Sequence, residues 1–313
     1  MLVQRLAKKL IKNHQQIEDP VVRKQYGSLM SGIGIASNLL LAAGKFIAGT
    51  LAGSIAITSD AWNNATDCVA SLIALLSFRL SAKPPDKKHP FGHARFEYLA
   101  SSGVALIILI VAWELFKTSL NRIRHPQSIR LDYLVAGILI VSIVLKLWQW
   151  RSYRSLDQLI GSQVFRATAA DSLADAVTTF SVLATTLVAH FTGIMIDGWI
   201  GLLVSLFIFY SGFSILRDTA TYLLGAAPSE SIVQGLEEAV LAYPGVLGMH
   251  DLLIHDYGPG KTFASLHVEL DAGMRALESH ALIDRIERDI LDNQGIHLII
   301  HLDPVVIPDS EQL

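Results

Sequence analysis

The chain has 313 residues, of which 51% are hydrophobic and 17% are charged, and its mean hydropathy is positive. This composition is more apolar than that of an ordinary soluble domain, so a lipid bilayer is the first environment to consider. The formal net charge is −3, and the scattered basic residues argue against nucleic-acid binding. The single cysteine, Cys68, excludes an internal disulfide, a cysteine-rich zinc ribbon and a CxxC redox pair.

Residues 1–25 are predicted to form an amphipathic leader that stays in the cytosol. The segment LVQRLAKKLIKNHQQ carries lysines within an amphipathic pattern. It lacks a short apolar core followed by a small-residue cleavage site, so it does not resemble a cleaved signal peptide.

Residues 26–217 are predicted to form a transmembrane domain of six helices. A hydrocarbon core of about 30 Å requires roughly 20 mainly apolar residues per helix. Six stretches meet that requirement. They are 30–52, 54–81, 98–121, 132–150, 166–190 and 193–216.

The basic residues of the loops indicate which side of the membrane holds the termini. An even number of spans places both termini on one side, and basic residues favour the cytoplasmic side. The basic residues are Arg5, Lys8, Lys9, Lys12, Arg23 and Lys24 in the leader, and Lys83, Lys87, Lys88 and Arg95 after the second span. Arg122, Arg124 and Arg130, after the third span, disagree with this rule. We therefore expect a multi-pass plasma-membrane protein with both termini in the cytoplasm.

Residues 218–313 are predicted to form a cytoplasmic domain, folded from about Pro228 onward. The apolar spacing of SESIVQGLEEAVLAY and ESHALIDRIERDIL predicts two helices. Alternation in MHDLLIHDY, TFASLHVELD and IHLIIHLD predicts three strands. The order αββαβ, with two helices on one face of a small sheet, indicates a ferredoxin-like α+β domain.

Two predicted spans contain acidic and amide side chains. The second contains Asp60, Asn63, Asn64 and Asp67, and the fifth contains Asp171 and Asp175. Helical spacing places Asp60, one of the two asparagines and Asp67 on one face, and the fifth-span pair on another. An ionised carboxylate at mid-membrane costs at least about 2.5 kcal/mol by insertion scales. The group therefore predicts a bound cation. The alternative is that these carboxylates are hydrogen-bonded to neighbouring helices or lie at the membrane interface. For Asp60 alone, this alternative and the bound cation are equally favoured.

From about Tyr26 to Pro304 the chain resembles the cation diffusion facilitator family of metal transporters. The segment Ser59-Asp60-Ala61 matches an "SDA" segment of that family, and the six spans, the paired motifs and the αββαβ domain complete the likeness. The resemblance implies a secondary transporter rather than an enzyme, assembled as a homodimer. It implies a transport site formed by Asn63, Asp67, Asp171 and Asp175, with Asp60 on the pathway.

The implied ligand set departs from the zinc-transporting pattern of that family, in which the fifth helix, and often the second, contributes a histidine. Here the set comprises one amide and three carboxylates. Oxygen ligands suit manganese better than imidazole does, so the manganese-type branch and Mn²⁺ are favoured. Ferrous iron, zinc and cobalt stay open as cargo, because affinity rises toward zinc along the divalent series.

Two further metal sites are implied by the resemblance. The loop SAKPPDKKHPFGHARFE places Asp86, His89 and His93 at a second site, the alternative being solvated or lipid-binding histidines. In the soluble domain the resemblance places a site at His250, His267, His301 and Asp303, with His280 as a further ligand. His301 and Asp303 are two residues apart, so they share one face of a strand. Structural or solvated histidines are the alternative there.

The predicted mechanism is export of a divalent cation by alternating access, coupled to protons. Deprotonated carboxylates bind the cation, and protons compete for the same oxygens on the outer side. A membrane metalloenzyme and a metal sensor are the rival functions. Neither an HExxH motif nor a Ser/His/Asp arrangement is present, which disfavours the enzyme. No cofactor is expected beyond transported or bound metal ions, namely Mn²⁺ with Zn²⁺ or Fe²⁺ as alternatives.

Overall fold

The computed structural model describes residues 10–17, 19–51, 55–125 and 133–307. Six long helices lie within these residues. They are α1 (Pro20–Leu51), α2 (Ile55–Ser81), α3 (Phe96–Arg124), α4 (Tyr133–Ile160), α5 (Gln163–Thr192) and α6 (Asp197–Leu224). Within the described residues, α1, α3, α4, α5 and α6 each contain a stretch long and apolar enough to cross a membrane. Helix α2 has 27 residues, and the side chains of its first turns lie outside the described residues. The predicted helical membrane fold is confirmed.

Several helices extend beyond the predicted spans. Helix α1 begins at Pro20, although the apolar stretch begins at residue 30, and α4 continues to Ile160 rather than ending at 150. A helix satisfies its own backbone hydrogen bonds and so continues past the apolar stretch that defines a span. Val22 and Tyr26 are each only 3% exposed. The last residues assigned to the leader are therefore the first turns of α1.

Glycines allow α1 to approach α2 and α4 closely. A Cβ at Gly27 would lie 2.1 Å from the ring of Phe78 on α2, and one at Gly34 would lie 1.9 Å from the hydroxyl of Tyr153 on α4. Phe78 also packs against Phe165 of α5, with ring centroids 4.8 Å apart. Small residues at helix contacts allow the close backbone approach on which membrane-helix association depends.

A buried ion pair connects three parts of the helix bundle. The Arg23 guanidinium on α1 donates to both carboxylate oxygens of Glu97 on α3, at 3.2 Å each, and also bonds the backbone carbonyl of Ile160. The Ser162 hydroxyl, between α4 and α5, donates to Glu97 at 2.9 Å. Glu97 is 2% exposed. Each charge therefore depends on its partner, because a buried charge without its partner is left uncompensated.

The described chain divides into two compact units. One contains the residues up to Pro84 and Arg95–Thr221; the other contains Pro85–Ala94 and the residues from Tyr222 onward. The second unit holds α7 (Glu230–Leu241), β1 (Val246–Asp256), β2 (Thr262–Asp271), α8 (Ala276–Gln294) and β3 (Ile296–Val305). The predicted order αββαβ is confirmed. The sheet order is β1-β2-β3, with β1 and β2 antiparallel and β2 and β3 parallel.

One face of this sheet packs against the two helices. Leu266 and Val268 of β2 and Ile300 of β3 are buried with Leu236 of α7 and Ile286 of α8. Side chains alternate along a strand, so the odd-numbered residues of β2 and β3 lie on the opposite face. That second face carries His267 and His301 of the predicted soluble-domain site.

We expect Glu97→Ala to destabilise the helix bundle by about 3–5 kcal/mol, because it leaves the Arg23 guanidinium buried without its carboxylate. Glu278→Ala is the control: it pairs with Arg275 in the soluble domain, where its side chain is 51% exposed. An exposed pair contributes at most about 1 kcal/mol. Thermal unfolding of the detergent-solubilised protein measures both. Equal midpoints for the two variants would contradict the assigned role of the buried pair.

Candidate metal centres

Three carboxylates converge inside the helix bundle. Asp67 on α2 and Asp171 and Asp175 on α5 each offer an oxygen, and these oxygens all lie within 4.8 Å of one another. Asp67 is 8% exposed. The i, i+4 spacing on α5 places both of its aspartates on the face toward α2. Three carboxylates this close in an apolar surrounding repel one another unless a cation lies among them.

The other two predicted residues of this region, Asn63 and Asp60, belong to α2. Their side chains lie outside the described residues. Of the predicted transport site, the described structure therefore brings together Asp67, Asp171 and Asp175.

A lysine that the sequence reasoning missed lies in this cluster. The Lys146 ammonium on α4 donates to Asp67 Oδ2 at 2.5 Å and to Asp175 Oδ2 at 2.6 Å. Lys146 is 3% exposed. A signal was available, since Lys146 is the one charged residue among residues 133–150. An ionisable residue within a membrane span is a functional candidate by default.

The loop between α2 and α3 brings Asp86, His89 and His93 together, each with a potential ligand atom within 4.8 Å of the others. Asp86 Oδ1 accepts hydrogen bonds from the backbone N–H groups of Lys88, at 2.8 Å, and His89, at 2.7 Å. These bonds, followed by the nearby histidines, lower the pKa of Asp86 below its usual value. The carboxylate therefore stays ionised and able to bind a cation at neutral pH.

Aromatic contacts hold this loop against the rest of the second unit, to which it belongs. The Phe91 ring stacks on Tyr257 with centroids 4.3 Å apart and meets the edge of Phe263 at 5.2 Å. Such contacts contribute roughly 0.5–1.5 kcal/mol beyond area burial. They hold the backbone between His89 and His93 against the sheet of this unit.

The free face of the sheet carries the third cluster. His250 lies opposite His267, and His267 lies opposite His301 in the neighbouring strand. Asp303 Oδ2 is 2.9 Å from His267 Nδ1 and 3.1 Å from His250 Nε2. The hydrogen bond to His267 is the main cause that lowers the pKa of Asp303. The Asp303 carboxylate therefore stays ionised and able to bind a cation at neutral pH.

A β-bulge places His250 on this face. The register of β1 against β2 shifts between His250 and Leu253, and Asp251 has a positive φ of 52°. Regular alternation counted back from the exposed Leu253 would turn His250 toward the helices. The extra residue reverses that direction, and brings the His250 ring to 5.1 Å from that of His267.

Two predicted ligands of the soluble domain, His301 and His280, are not part of this group of converging ligand atoms. The His301 ring is 4.6 Å from the His267 ring, but its Nε2 is 3.6 Å from Asp303 Oδ1 and its side chain is 69% exposed. His280 lies on α8, one of the two helices packed on the other face of the sheet, and is 71% exposed beside Asp284. Within one chain, the structure brings together His250, His267 and Asp303, with His301 adjacent and His280 separate.

Comparisons with known proteins identify the family of the chain. The family model of the cation efflux transmembrane domain matches residues 32–224, and that of the cation efflux protein cytoplasmic domain matches residues 228–305. The chain belongs to the cation diffusion facilitator family. As a member of this cation efflux family it is a multi-pass membrane transporter of metal cations and not an enzyme.

Relatives of the chain match it over nearly their whole length. An uncharacterized transporter of Methanocaldococcus jannaschii is 30% identical over 87% of this chain and 96% of its own. The manganese efflux system protein MneS of Bacillus subtilis and the cation-efflux pump FieF of Cronobacter sakazakii are each 28% identical. Both cover 92% of this chain, with 98% of MneS and 97% of FieF aligned.

In this cation diffusion facilitator, Lys146 belongs to a polar stripe along α4. Its members are spaced three or four residues apart and are all buried: Ser142, Lys146, Gln149, Tyr153 and Asp157. The Gln149 side-chain nitrogen donates to Ser37 Oγ at 2.6 Å and to Asn38 Oδ1 at 3.0 Å, both on α1. This spacing is visible in the sequence, whereas the apolar length of the segment predicts only a membrane span.

The arginines that disagree with the positive-inside rule are only partly described. Arg122, at the end of α3, forms an ion pair with Asp197 at the start of α6, at 2.9 Å. Arg124 is exposed. Arg130 lies outside the described residues, as do Arg5, Lys8 and Lys9 of the leader. Part of the positive charge at this end of the bundle is thus neutralised by an acidic partner.

We expect Asp303→Asn to weaken binding of Zn²⁺ to the soluble domain at least about tenfold. Removal of a residue that only hydrogen-bonds to a metal ligand already causes a loss of this size. The amide keeps the shape but removes the charge that lies between His250 and His267. His280→Ala is the control and is expected to leave this binding unchanged. Equilibrium dialysis of the full-length, detergent-solubilised protein measures both. If His280→Ala loses as much affinity as Asp303→Asn, the ligand assignment is wrong.

Proposed function

We propose that this transporter exports a divalent cation, Mn²⁺ foremost, from the cytoplasm in exchange for protons. The observation that carries the proposal is the group of three carboxylates on α2 and α5, whose oxygens lie within 4.8 Å of one another inside the helix bundle. Intramembrane carboxylates on facing helices are typical of ion and proton pathways. We assign Asp67, Asp171 and Asp175, with Asn63, to the site that carries the cation.

The choice of Mn²⁺ rests on the ligand type. Carboxylate and amide oxygens suit manganese, whereas zinc gains more from imidazole. One relative is a manganese efflux system protein, while others are named cation-efflux pumps. Zinc, ferrous iron and cobalt are the alternative cargoes, because the general affinity order still rises toward zinc.

Proton exchange follows from the chemistry of the same side chains. A carboxylate oxygen binds either a proton or a cation, so a high proton concentration on the outer side favours release of the metal there. Alternating access then requires that the site be open to one side at a time. We propose that this cycle operates in the plasma membrane with both termini in the cytoplasm, as the basic loops favour.

We propose that the protein works as a homodimer joined in part by its soluble domains. The free face of the sheet exposes Leu253, 59% accessible, and Ile299, 69% accessible, beside the histidine cluster. Apolar side chains at that exposure favour a protein partner when they adjoin other interface features. Light scattering of the detergent-solubilised protein measures its mass, and a monomer at micromolar concentration would exclude a stable dimer.

The loop cluster and the sheet cluster are proposed as additional cytoplasmic metal sites rather than transport sites. Both lie in the unit that contains the soluble domain, and both include histidines. Imidazole at these sites favours a metal such as zinc more than the oxygen-only site does. They therefore suit binding of metal on the cytoplasmic side, which influences the transporter without carrying the cargo across.

We expect Asp171→Asn to abolish proton-driven Mn²⁺ flux into proteoliposomes, because it removes one of three charges that hold a divalent cation. The amide matches the carboxylate in size, so the protein should fold. Asp218→Asn is the control, since Asp218 lies on α6 beside Arg217 and outside the cluster. Flux is measured with and without an imposed pH gradient. Wild-type flux in Asp171→Asn would refute the site; gradient-independent flux in the wild type would refute the proton coupling.

We expect Asp171→His to lower Mn²⁺ transport and to raise the ratio of Zn²⁺ to Mn²⁺ transport. The change supplies an imidazole nitrogen and removes one negative charge, and both effects disfavour a hard cation relative to zinc. The measurement is competitive flux of the two metals at matched concentrations and at two pH values, since the new histidine titrates near neutrality. An active variant with an unchanged ratio would remove the main support for manganese.

A further inference from the structure

A lysine ammonium lies between the two helices that carry the proposed transport site. Lys146 Nζ is 2.5 Å from Asp67 Oδ2 on α2 and 2.6 Å from Asp175 Oδ2 on α5. A divalent cation of the size of magnesium that bridged the same two oxygens would lie about 2.0–2.1 Å from each. The ammonium and such an ion cannot both lie between these two oxygens at the same time. The structure therefore contains a cation of its own in the position that the cargo requires.

We propose that Lys146 is a tethered counter-cation, which occupies the transport site when no metal is bound and is displaced by the incoming divalent cation. This inference rests on the proposed function of the three aspartates and adds a residue to it. The lysine acts as a positioning residue for the carboxylates and as a competitor of the metal.

Charge explains why the empty site needs such a group. Three ionised carboxylates within 4.8 Å repel one another strongly in a surrounding of low dielectric constant. The ammonium on α4 offsets one charge and bonds to both α2 and α5. When a divalent cation enters, the three carboxylates, the ammonium and the metal together carry no net charge. Lys146 can therefore leave the bridge and remain close by in its charged form.

The structure also offers a place for the displaced ammonium. Gln149 lies three residues further along α4, on the same face, and is 1% exposed. Its side-chain nitrogen donates to Ser37 and Asn38 of α1. Its Oε1 is buried without a hydrogen-bond partner among the described residues. A buried acceptor without a partner is stabilised when a donor forms a hydrogen bond with it. The flexible four-carbon stem of lysine lets the ammonium move toward this oxygen.

The proposal predicts opposite effects on binding and on turnover. Without the ammonium the metal has no competitor, so its affinity should rise. The empty site would then have to reorient without the ammonium that bonds to both α2 and α5, so the return step should slow. A lysine that served only to hold the helices together would instead weaken binding when removed.

The experiment measures Mn²⁺ binding and flux with Lys146→Met and Lys146→Gln, which remove the charge and retain a long, flexible side chain. We expect the Kd for Mn²⁺ to fall at least about tenfold, as loss of a competing charged hydrogen bond implies, and the kcat of flux to fall. Binding is measured at pH 8 on full-length protein in detergent, where protons compete least. Lys146→Arg, which retains the charge, should stay closer to the wild type than either neutral variant.

Lys117→Met is the control for loss of a lysine from the helix bundle, because Lys117 on α3 pairs with Glu114 and is 49% exposed. An unchanged or raised Kd in both neutral Lys146 variants would overturn the proposal. A lower Kd with unchanged kcat would overturn its part in the return step. Transport-site binding is defined as the Mn²⁺ that Asp171→Asn fails to bind. If that difference is zero in the wild-type protein, it is the proposed function that fails.

Discussion

The membrane unit depends on one electrostatic constraint, which is that a charge inside an apolar bundle requires an opposite charge within bonding distance. Asp67 and Asp175 meet Lys146, and Glu97 meets Arg23. Each of these contacts joins different helices. The charges therefore determine which helix faces meet, and any change of partner must move a helix or a side chain. A divalent cation is a partner of this kind, since it can take the place of the lysine while the carboxylates stay in position.

Close packing of the helices brings these charged and polar side chains within bonding distance. Because Gly34 has no side chain, α1 lies against the hydroxyl of Tyr153 on α4. The preceding turn of α4 can then bond Ser37 and Asn38 through Gln149. Helix association in membranes lacks the hydrophobic driving force of water and depends on such packing and on interhelical hydrogen bonds. The polar stripe of α4 is thus enclosed by its neighbours rather than exposed to lipid, which allows it to carry a lysine.

Hydropathy and periodicity predicted the helical membrane fold and the αββαβ domain, because both signals depend on local sequence. The ends of α1 and α4 were not predictable in this way, since a helix outlasts the apolar segment that reveals it. The position of His250 was unpredictable for another reason: a bulge at Asp251 reverses the alternation, and bulges depend on pairing with β2. Lys146 was visible in the sequence, but only the fold shows which carboxylates it meets.

The proposed membrane site and the proposed sheet site differ in ligand chemistry, and this difference separates two kinds of selectivity. Within the described side chains the membrane cluster offers only carboxylate oxygens, whereas the sheet cluster offers two imidazoles and one carboxylate. Imidazole nitrogen holds zinc better than it holds manganese, and oxygen ligands lessen that preference. The metal bound by the soluble domain therefore need not be the metal that is carried. In the proposed mechanism, selectivity for the cargo is determined where the metal competes with Lys146, and a cation must pair with carboxylates of both α2 and α5 to displace the ammonium. A monovalent ion would replace one positive charge with another and gain little, whereas a divalent ion adds a second positive charge that the three carboxylates can still balance.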